Sequence, residues 1–232
     1  MDAIILAGGL GTRLRSVVSE LPKCMAPVCD KPFLSYLLDY LAKYQEIDHV
    51  ILSVGYLRES IFEWIEKNKF PFTISYAIEE TPLGTGGGIK LALKQIKSDE
   101  VFILNGDTFF DVNLTDFSKT CKSNNSSINL ALKPLCNFDR YGAVDIDSEN
   151  RIIAFNEKKH CDEGLINGGV YYINTKNISL NCIPDKGSFE KEVLEKEADK
   201  KKISGYICDG YFIDIGIPED YEKANVEFRT LF

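Results

Sequence analysis

Close behind a short apolar run the chain carries Gly8-Gly9-Leu10-Gly11-Thr12-Arg13 and, soon after, Pro22-Lys23. Small residues let backbone N–H groups approach phosphate oxygens, and an arginine can fork onto the same oxygens. Lys23, flanked by Pro22 and Pro27, lies on a stiff, irregular segment that can hold it in place. A second glycine-rich stretch, Pro82-Leu83-Gly84-Thr85-Gly86-Gly87-Gly88, is expected to be a loop whose bare backbone accepts a flat ligand such as a nucleobase. Asp107, after Leu104-Asn105-Gly106, and Asp214, after Tyr211-Phe212-Ile213, each close an apolar run. A hard divalent cation bound to phosphates needs one or two carboxylates and fills its other positions with water and substrate oxygens. The chemistry in view is that of a polyphosphate and a cation, although each feature alone also fits a turn, a cap or a flexible loop. Two familiar phosphate motifs fail: the third glycine of a dinucleotide fingerprint is replaced by Leu14, and no Gly-Lys-Ser/Thr occurs.

These residues need a frame. Buried strands are expected at 3–7, 50–54, 72–77 and 101–104, each bounded by glycine, proline or polar residues. Between them Leu34, Leu37, Leu38 and Leu41, then Ile61, Trp64 and Ile65, then Ile89, Ala92, Leu93 and Ile96 recur at helical spacing. Such alternation argues for a parallel sheet wrapped by helices, with its loops at the carboxyl ends of the strands, where such sheets bind ligands. Short strands follow at 129–133, 142–146, 151–156 and 165–173, with Asp147-Ser148-Glu149-Asn150 as a hairpin turn, then a strand at 211–215 and a helix starting at Pro218. The expectation is one α/β domain over residues 1–232, with a Rossmann-like, mixed but mostly parallel sheet flanked by helices.

A net charge of −8 and the lack of a basic stripe argue against a nucleic-acid partner, so positive charge for phosphates must be concentrated locally. No apolar stretch reaches bilayer-spanning length and no targeting segment opens the chain, so no membrane partner and a cytoplasmic location are expected. Seven cysteines, an odd number without a Cys-x-x-Cys pair, argue against a disulfide framework or a cysteine metal site. His49, beside Val50-Ile51-Leu52, is expected to be structural, and the Lys/Glu cluster at 190–202 to be the solvated face of a helix.

The combination resembles the sugar-1-phosphate nucleotidyltransferases, the family that makes nucleoside-diphosphate sugars. Its opening signature is matched by Leu6 to Arg13 and Pro22-Lys23, and its Gly-Asp by Gly106-Asp107. Tyr141-Gly142, Glu157-Lys158, Asn167-Gly168-Gly169 and the stretch from Asp214 to Tyr221 follow in family order, nearly spanning the chain. The sequence departs from the usual pattern at Ser16 and Cys24, where proline is common. Gly8-Gly9, Leu14-Arg15-Ser16 and Pro22 to Val28 look most like the branch acting on D-glycero-D-manno-heptose 1-phosphate with GTP, for surface polysaccharide precursors such as capsule or lipopolysaccharide.

The resemblance implies catalytic roles for Arg13 and Lys23 and a magnesium ion on Asp107 and Asp214. It implies nucleotide binding by Leu6, Ala7, Gly8, Gly9, Gly11, Thr12 and Gly106, with Glu79, Pro82, Leu83, Gly84 and Thr85 across from them. Sugar-phosphate binding would fall to Tyr141, Gly142, Glu157, Lys158, Asn167 and Gly168. The partners implied are GTP and a sugar 1-phosphate; the sequence leaves oligomeric state open, a homodimer included. Three other readings stay open: the same transfer to mannose 1-phosphate or another hexose phosphate with GTP, UTP or CTP; a non-catalytic nucleotide-binding subunit; and a glycosyltransferase using Asp145-Ile146-Asp147. The last triplet fits a solvated turn better, and a glycosyltransferase has no use for Arg13 and Lys23 on a triphosphate.

Overall fold

The computed structural model describes residues 1–9, 11, 14, 17–18, 20–124 and 126–232. Thr12, Arg13 and the departure at Ser16 lie outside them.

The first half alternates as its apolar periodicity requires: β1 (Asp2–Leu6), a small ribbon of β2 (Pro27–Val28) and β3 (Lys31–Pro32), then α1 (Phe33–Leu41) and β4 (His49–Val54). Next come α2 (Arg58–Glu66), β5 (Thr73–Ile78), α3 (Gly84–Leu93) and β6 (Glu100–Asn105). The second half holds β7 (Thr108–Phe110), α4 (Leu114–Ser123), β8 (Ile128–Phe138), β9 (Val144–Ile146), β10 (Ile152–Phe155) and β11 (Cys161–Asn174). A π-helical turn (Glu190–Leu194) leads into α5 (Glu195–Asp199), followed by β12 (Ile203–Ile207), β13 (Phe212–Asp214) and α6 (Pro218–Leu231).

Seven strands form one sheet in the order β12-β8-β11-β6-β1-β4-β5. All neighbours are parallel except around β11, which runs antiparallel to both β6 and β8. Leu6 pairs with Ser53 on one side and Asn105 on the other, so β1, β4 and β6 end in line. Both faces of β1 are buried: Ala3 and Ile5 pack under α1 and α6, and Ile4 joins Ile51, Ile89 and Ile103 under α3. That is why these strands read as continuous apolar runs.

Five elements were not expected, the β2–β3 ribbon among them. In α4, Asn113 caps the helix by accepting from the Asp116 N–H, and Leu114, Phe117 and Cys121 form its buried face. The edge strand β12 and the short β7 give no sequence signal, being brief and flanked by polar residues. The glycine-rich stretch is corrected: α3 starts at Gly84, so Gly86, Gly87 and Gly88 are helical and buried. A Cβ at Gly87 would lie 2.6 Å from Leu83 Cβ and clash with the Asp185 carbonyl, and one at Gly86 would lie 2.8 Å from the Pro184 ring. Those two glycines admit the 184–187 segment, with the Gly86 N–H donating to the Gly187 carbonyl at 2.9 Å.

His49 is structural, as expected. It is buried, with Nδ1 2.6 Å from Asp2 Oδ1 and Nε2 2.9 Å from Ser75 Oγ. The 147–150 turn joins β9 to β10; Asp147 Oδ1 accepts from the Glu149 and Arg151 N–H groups, and Asp145 accepts from Asn156. The aspartates of the Asp-Ile-Asp triplet are thus held by the hairpin. No described helix is long and apolar enough to cross a membrane.

Candidate active site

The site grows from the carboxyl ends of β1 and β6. The Gly106 N–H donates to the Leu6 carbonyl at 3.1 Å, and a Cβ at Gly106 would lie 2.5 Å from that oxygen. Only glycine lets the chain leave β6 so close to β1, and this exit aims Asp107 at the glycines after Leu6. The next residues form β7, which pairs antiparallel with β13 so that Thr108 opposes Asp214. That ribbon, with the Ile215 N–H donating to the Asp107 carbonyl at 3.0 Å, sets two aspartates distant in sequence side by side.

Between them stands Lys23. It opens a single 3-10 turn whose following residues, Cys24 and Met25, are buried, and this anchorage fixes the lysine's origin. Its ammonium lies 2.5 Å from Asp107 Oδ2 and 3.6 Å from Asp214 Oδ1, with its side chain only 10% exposed. The Gly216 N–H donates to Asp214 Oδ1 at 2.8 Å, and a Cβ at Gly216 would come within 3.0 Å of the ammonium. Burial and then the nearby Asp107 charge push the Cys24 thiol up to about 12, which leaves it a packing residue.

A point between the two carboxylates therefore takes a cation. A pair of carboxylates is the protein donor set a phosphate-bound divalent cation asks for. Asp107 and Asp214 fit such an ion. Among the described residues no cluster of three or more histidine, cysteine or acidic side chains offers a rival metal site.

Two adjoining cavities meet at Asp107. The smaller, 160 Å³, is lined by Ala7, Gly106, Lys23, Cys24 and Gly216, together with Leu6, Gly9, Gly11 and Asp107. Those last four also line a 460 Å³ cleft completed by Gly8, Glu79, Pro82, Gly84, Thr85, Gly88 and Asn105. Nearly all the residues expected to bind nucleotide thus lie on one surface. Leu83 stands behind it: its N–H donates to Glu79 Oε2 at 2.9 Å, while Glu79 Oε1 accepts from Ser53 at 3.1 Å. Glu79 thereby ties the end of β5 to the start of α3. The Thr85 hydroxyl donates to Glu190 and accepts from the Phe189 N–H, so it is already engaged. Gly9 differs from the other glycines here, because a Cβ there would meet nothing within 4 Å.

On the other side of Lys23, an 80 Å³ cavity is lined by Arg140, Tyr141, Lys158, Asp214, Gly216, Ile217 and Asp220. Gly142 packs so closely on the Asn156 carbonyl that a Cβ would clash, and the Asn156 N–H donates to Ala143 at 2.8 Å. This contact between the entry to β9 and the exit of β10 brings Lys158 alongside Tyr141. The Tyr141 ring stands edge-on to Phe212, and burial, reinforced by Asp214, raises its phenol well above the ordinary tyrosine value. Glu157 is exposed and borders none of these cavities. Gly168 is buried, where any side chain would strike the Phe110 ring, so its part is to admit that ring. Asn167 follows Ile166, which bridges Ala143, and so sits near Gly142.

Arg140, Asp220, Asn105 and Gly216 line the site without having been singled out. Gly216 and Asp220 fall inside the stretch from Asp214 to Tyr221, and Asn105 and Arg140 adjoin Gly106 and Tyr141, which was the signal available. Arg140 bonds Asp220 at 2.8 Å, fastening the loop before β9 to the first turn of α6.

The nucleotidyl transferase model matches residues 2–230. The chain belongs to the nucleotidyl transferase family. Within it, this chain is 51% identical to the D-glycero-alpha-D-manno-heptose 1-phosphate guanylyltransferase of Aneurinibacillus thermoaerophilus over 229 residues, 99% of each chain. It is 48% identical to the Campylobacter jejuni protein of the same name, over 95% of this chain and 97% of that one. Among solved structures of the family, HddC from Yersinia pseudotuberculosis complexed with GMP-PN superposes with a TM-score of 0.85 and 37% identity, covering 98% of this chain and 99% of that one.

Proposed function

We propose that this protein transfers the guanylyl group of GTP to D-glycero-alpha-D-manno-heptose 1-phosphate, giving GDP-heptose and pyrophosphate. The observation that carries the transfer is the Lys23 ammonium on Asp107 and Asp214, at the junction between the glycine-lined cleft and the Tyr141–Lys158 cavity. The choice of base and sugar rests on the names of the two relatives near 50% identity.

In this reading an oxygen of the sugar phosphate attacks the α-phosphorus of GTP, a new P–O bond forms, and the bond to the β-phosphate breaks in line as pyrophosphate leaves. Two anions must be brought together, so positioning and charge neutralisation do most of the work. Gly8, Gly9 and Gly11 lie against the triphosphate, and the 460 Å³ cleft holds the nucleoside. Lys23 neutralises the α-phosphate and Arg13 the departing phosphates. Lys158, beside Tyr141, clamps the sugar phosphate, with Gly142 and Asn167 near the sugar. Asp107 and Asp214 would hold a magnesium ion, whose positive charge would offset the negative charge on the phosphates.

Mass spectrometry of products tests the specificity, with GTP, UTP, CTP, dTTP and ATP each offered against the heptose phosphate and mannose 1-phosphate. GDP-heptose as the dominant product supports the reading. A product with another base or sugar keeps the transfer and discards the specificity, and no product at all favours a nucleotide-binding subunit.

A further inference from the structure

Strand β11 carries an irregularity between Asn167 and Tyr171. Asn167 opposes Leu132 on β8, yet Tyr171 opposes Leu130, so two extra residues are accommodated on β11. In a regular strand, residues four apart are separated by about 13 Å, beyond the reach of a direct hydrogen bond. Here Asn167 Nδ2 donates to the Tyr171 hydroxyl at 2.9 Å. The bulge closes that gap, and Gly169 makes it feasible by adopting φ +72°.

The other end of the Asn167 amide is also held, since Oδ1 accepts from the Gly169 N–H at 3.0 Å. A primary amide has two N–H donors and two acceptor lone pairs. With one of each committed to the bulge, the amide is held at both ends, and a second N–H and a second lone pair are left over. Tyr171 is 1% exposed and its ring stands edge-on to the buried Phe189, so the phenol is itself immobile.

We propose that the Tyr171 hydroxyl is a positioning group that orients Asn167 toward the hydroxyls of the sugar 1-phosphate. The proposal rests on the reading that places Asn167 at the sugar. Tyr171 touches no substrate; it acts by restricting the Asn167 amide to one rotamer before the sugar arrives. Tyr171→Phe keeps the ring against Phe189 and removes only the oxygen.

The test is a double-mutant cycle on the full chain with Tyr171→Phe, Asn167→Ala and the pair, following kcat, both KM values and the unfolding midpoint. Tyr171→Phe is expected to raise the KM for the sugar phosphate about tenfold, with kcat and the KM for GTP unchanged. Asn167→Ala should raise that KM at least as much, and the double variant should be no worse than Asn167→Ala alone. Multiplying effects, an unchanged sugar-phosphate KM in Tyr171→Phe, or equal damage to kcat and both KM values would overturn the positioning role. An unchanged KM in Asn167→Ala would instead remove Asn167 from the sugar site, and the proposal with it.

Discussion

The Lys23 ammonium sits 2.5 Å from Asp107 Oδ2, and the residues that fix the pair come from opposite ends of the chain. Lys23 hangs from a turn anchored by Cys24 and Met25, while Asp107 is aimed by Gly106 and by the ribbon of β7 with β13. In the free protein the lysine thus pairs with the two carboxylates that, in the proposed reaction, would carry a cation.

Removing either member of that pair should cost turnover more than stability. A preorganised charge-stabilising group typically contributes ~10²–10³ in kcat. Lys23→Ala and Asp107→Ala are expected to lose at least that much while unfolding cooperatively, as calorimetry would show. Near-normal rates in either variant would remove that residue from the reaction.

Lys158 should behave differently. It lines the cavity beside Tyr141 and Asp214 and is exposed, so it contributes little to the fold. Lys158→Ala is expected to raise the KM for the sugar phosphate by roughly 10–100-fold, the loss of a hydrogen bond to a charged group. Initial rates at varied sugar phosphate would show it, and an unchanged KM would count against the clamp.

Two glycines separate ligand approach from chain packing. A Cβ at Gly87 would crowd Leu83 and the Asp185 carbonyl, whereas one at Gly9 would enter open space. Gly87→Ala should therefore destabilise by about 2 kcal/mol and lower the unfolding midpoint by about 4 °C or more. Gly9→Ala should leave the midpoint unchanged but weaken nucleotide binding measured by calorimetric titration. Intact nucleotide affinity in Gly9→Ala would mean the triphosphate lies elsewhere.

Stability should depend on pH through Asp2. Burial alone would raise its pKa, but hydrogen bonds from Ser98, His49 and the Lys97 N–H outweigh that and hold it below the ordinary carboxylate value. A depressed carboxyl contributes stability that is complete above its unfolded pKa of about 3.9 and is lost as pH falls through the folded value. Asp2→Asn is expected to be about 2 kcal/mol less stable at pH 7, with the gap narrowing below about pH 4. Urea midpoints at pH 7, 4 and 3 give the comparison; a gap that ignores pH would contradict it.

Much of this was legible because periodicity and chemistry agreed. The runs around Ile4, Ile51 and Ile103 are apolar on both faces, which marks buried parallel strands, and the strand-end glycines and aspartates fall where such sheets bind ligands. What sequence reasoning lacked was long-range register. Asp107 and Asp214 are neighbours only through the β7–β13 pairing, and the short β7 gives no periodic signal. The glycines at 86–88 were legible as glycine but not as helix, because Gly86 and Gly87 admit the 184–187 segment a hundred residues on, and Gly88 admits Glu79 and Ser53. Asn167 and Tyr171 lie in a strand that was recognised, but no strand pattern shows a bulge that joins them.

Pyrophosphate release reads the guanylyl transfer itself. Purified protein, magnesium and GTP would be assayed with and without D-glycero-alpha-D-manno-heptose 1-phosphate, alongside Lys23→Ala. Stoichiometric release of pyrophosphate and GDP-heptose is expected only when both substrates are present, with the variant slower by at least ~10². Pyrophosphate release that does not need the sugar phosphate, or a Lys23→Ala protein as fast as the parent, would contradict it.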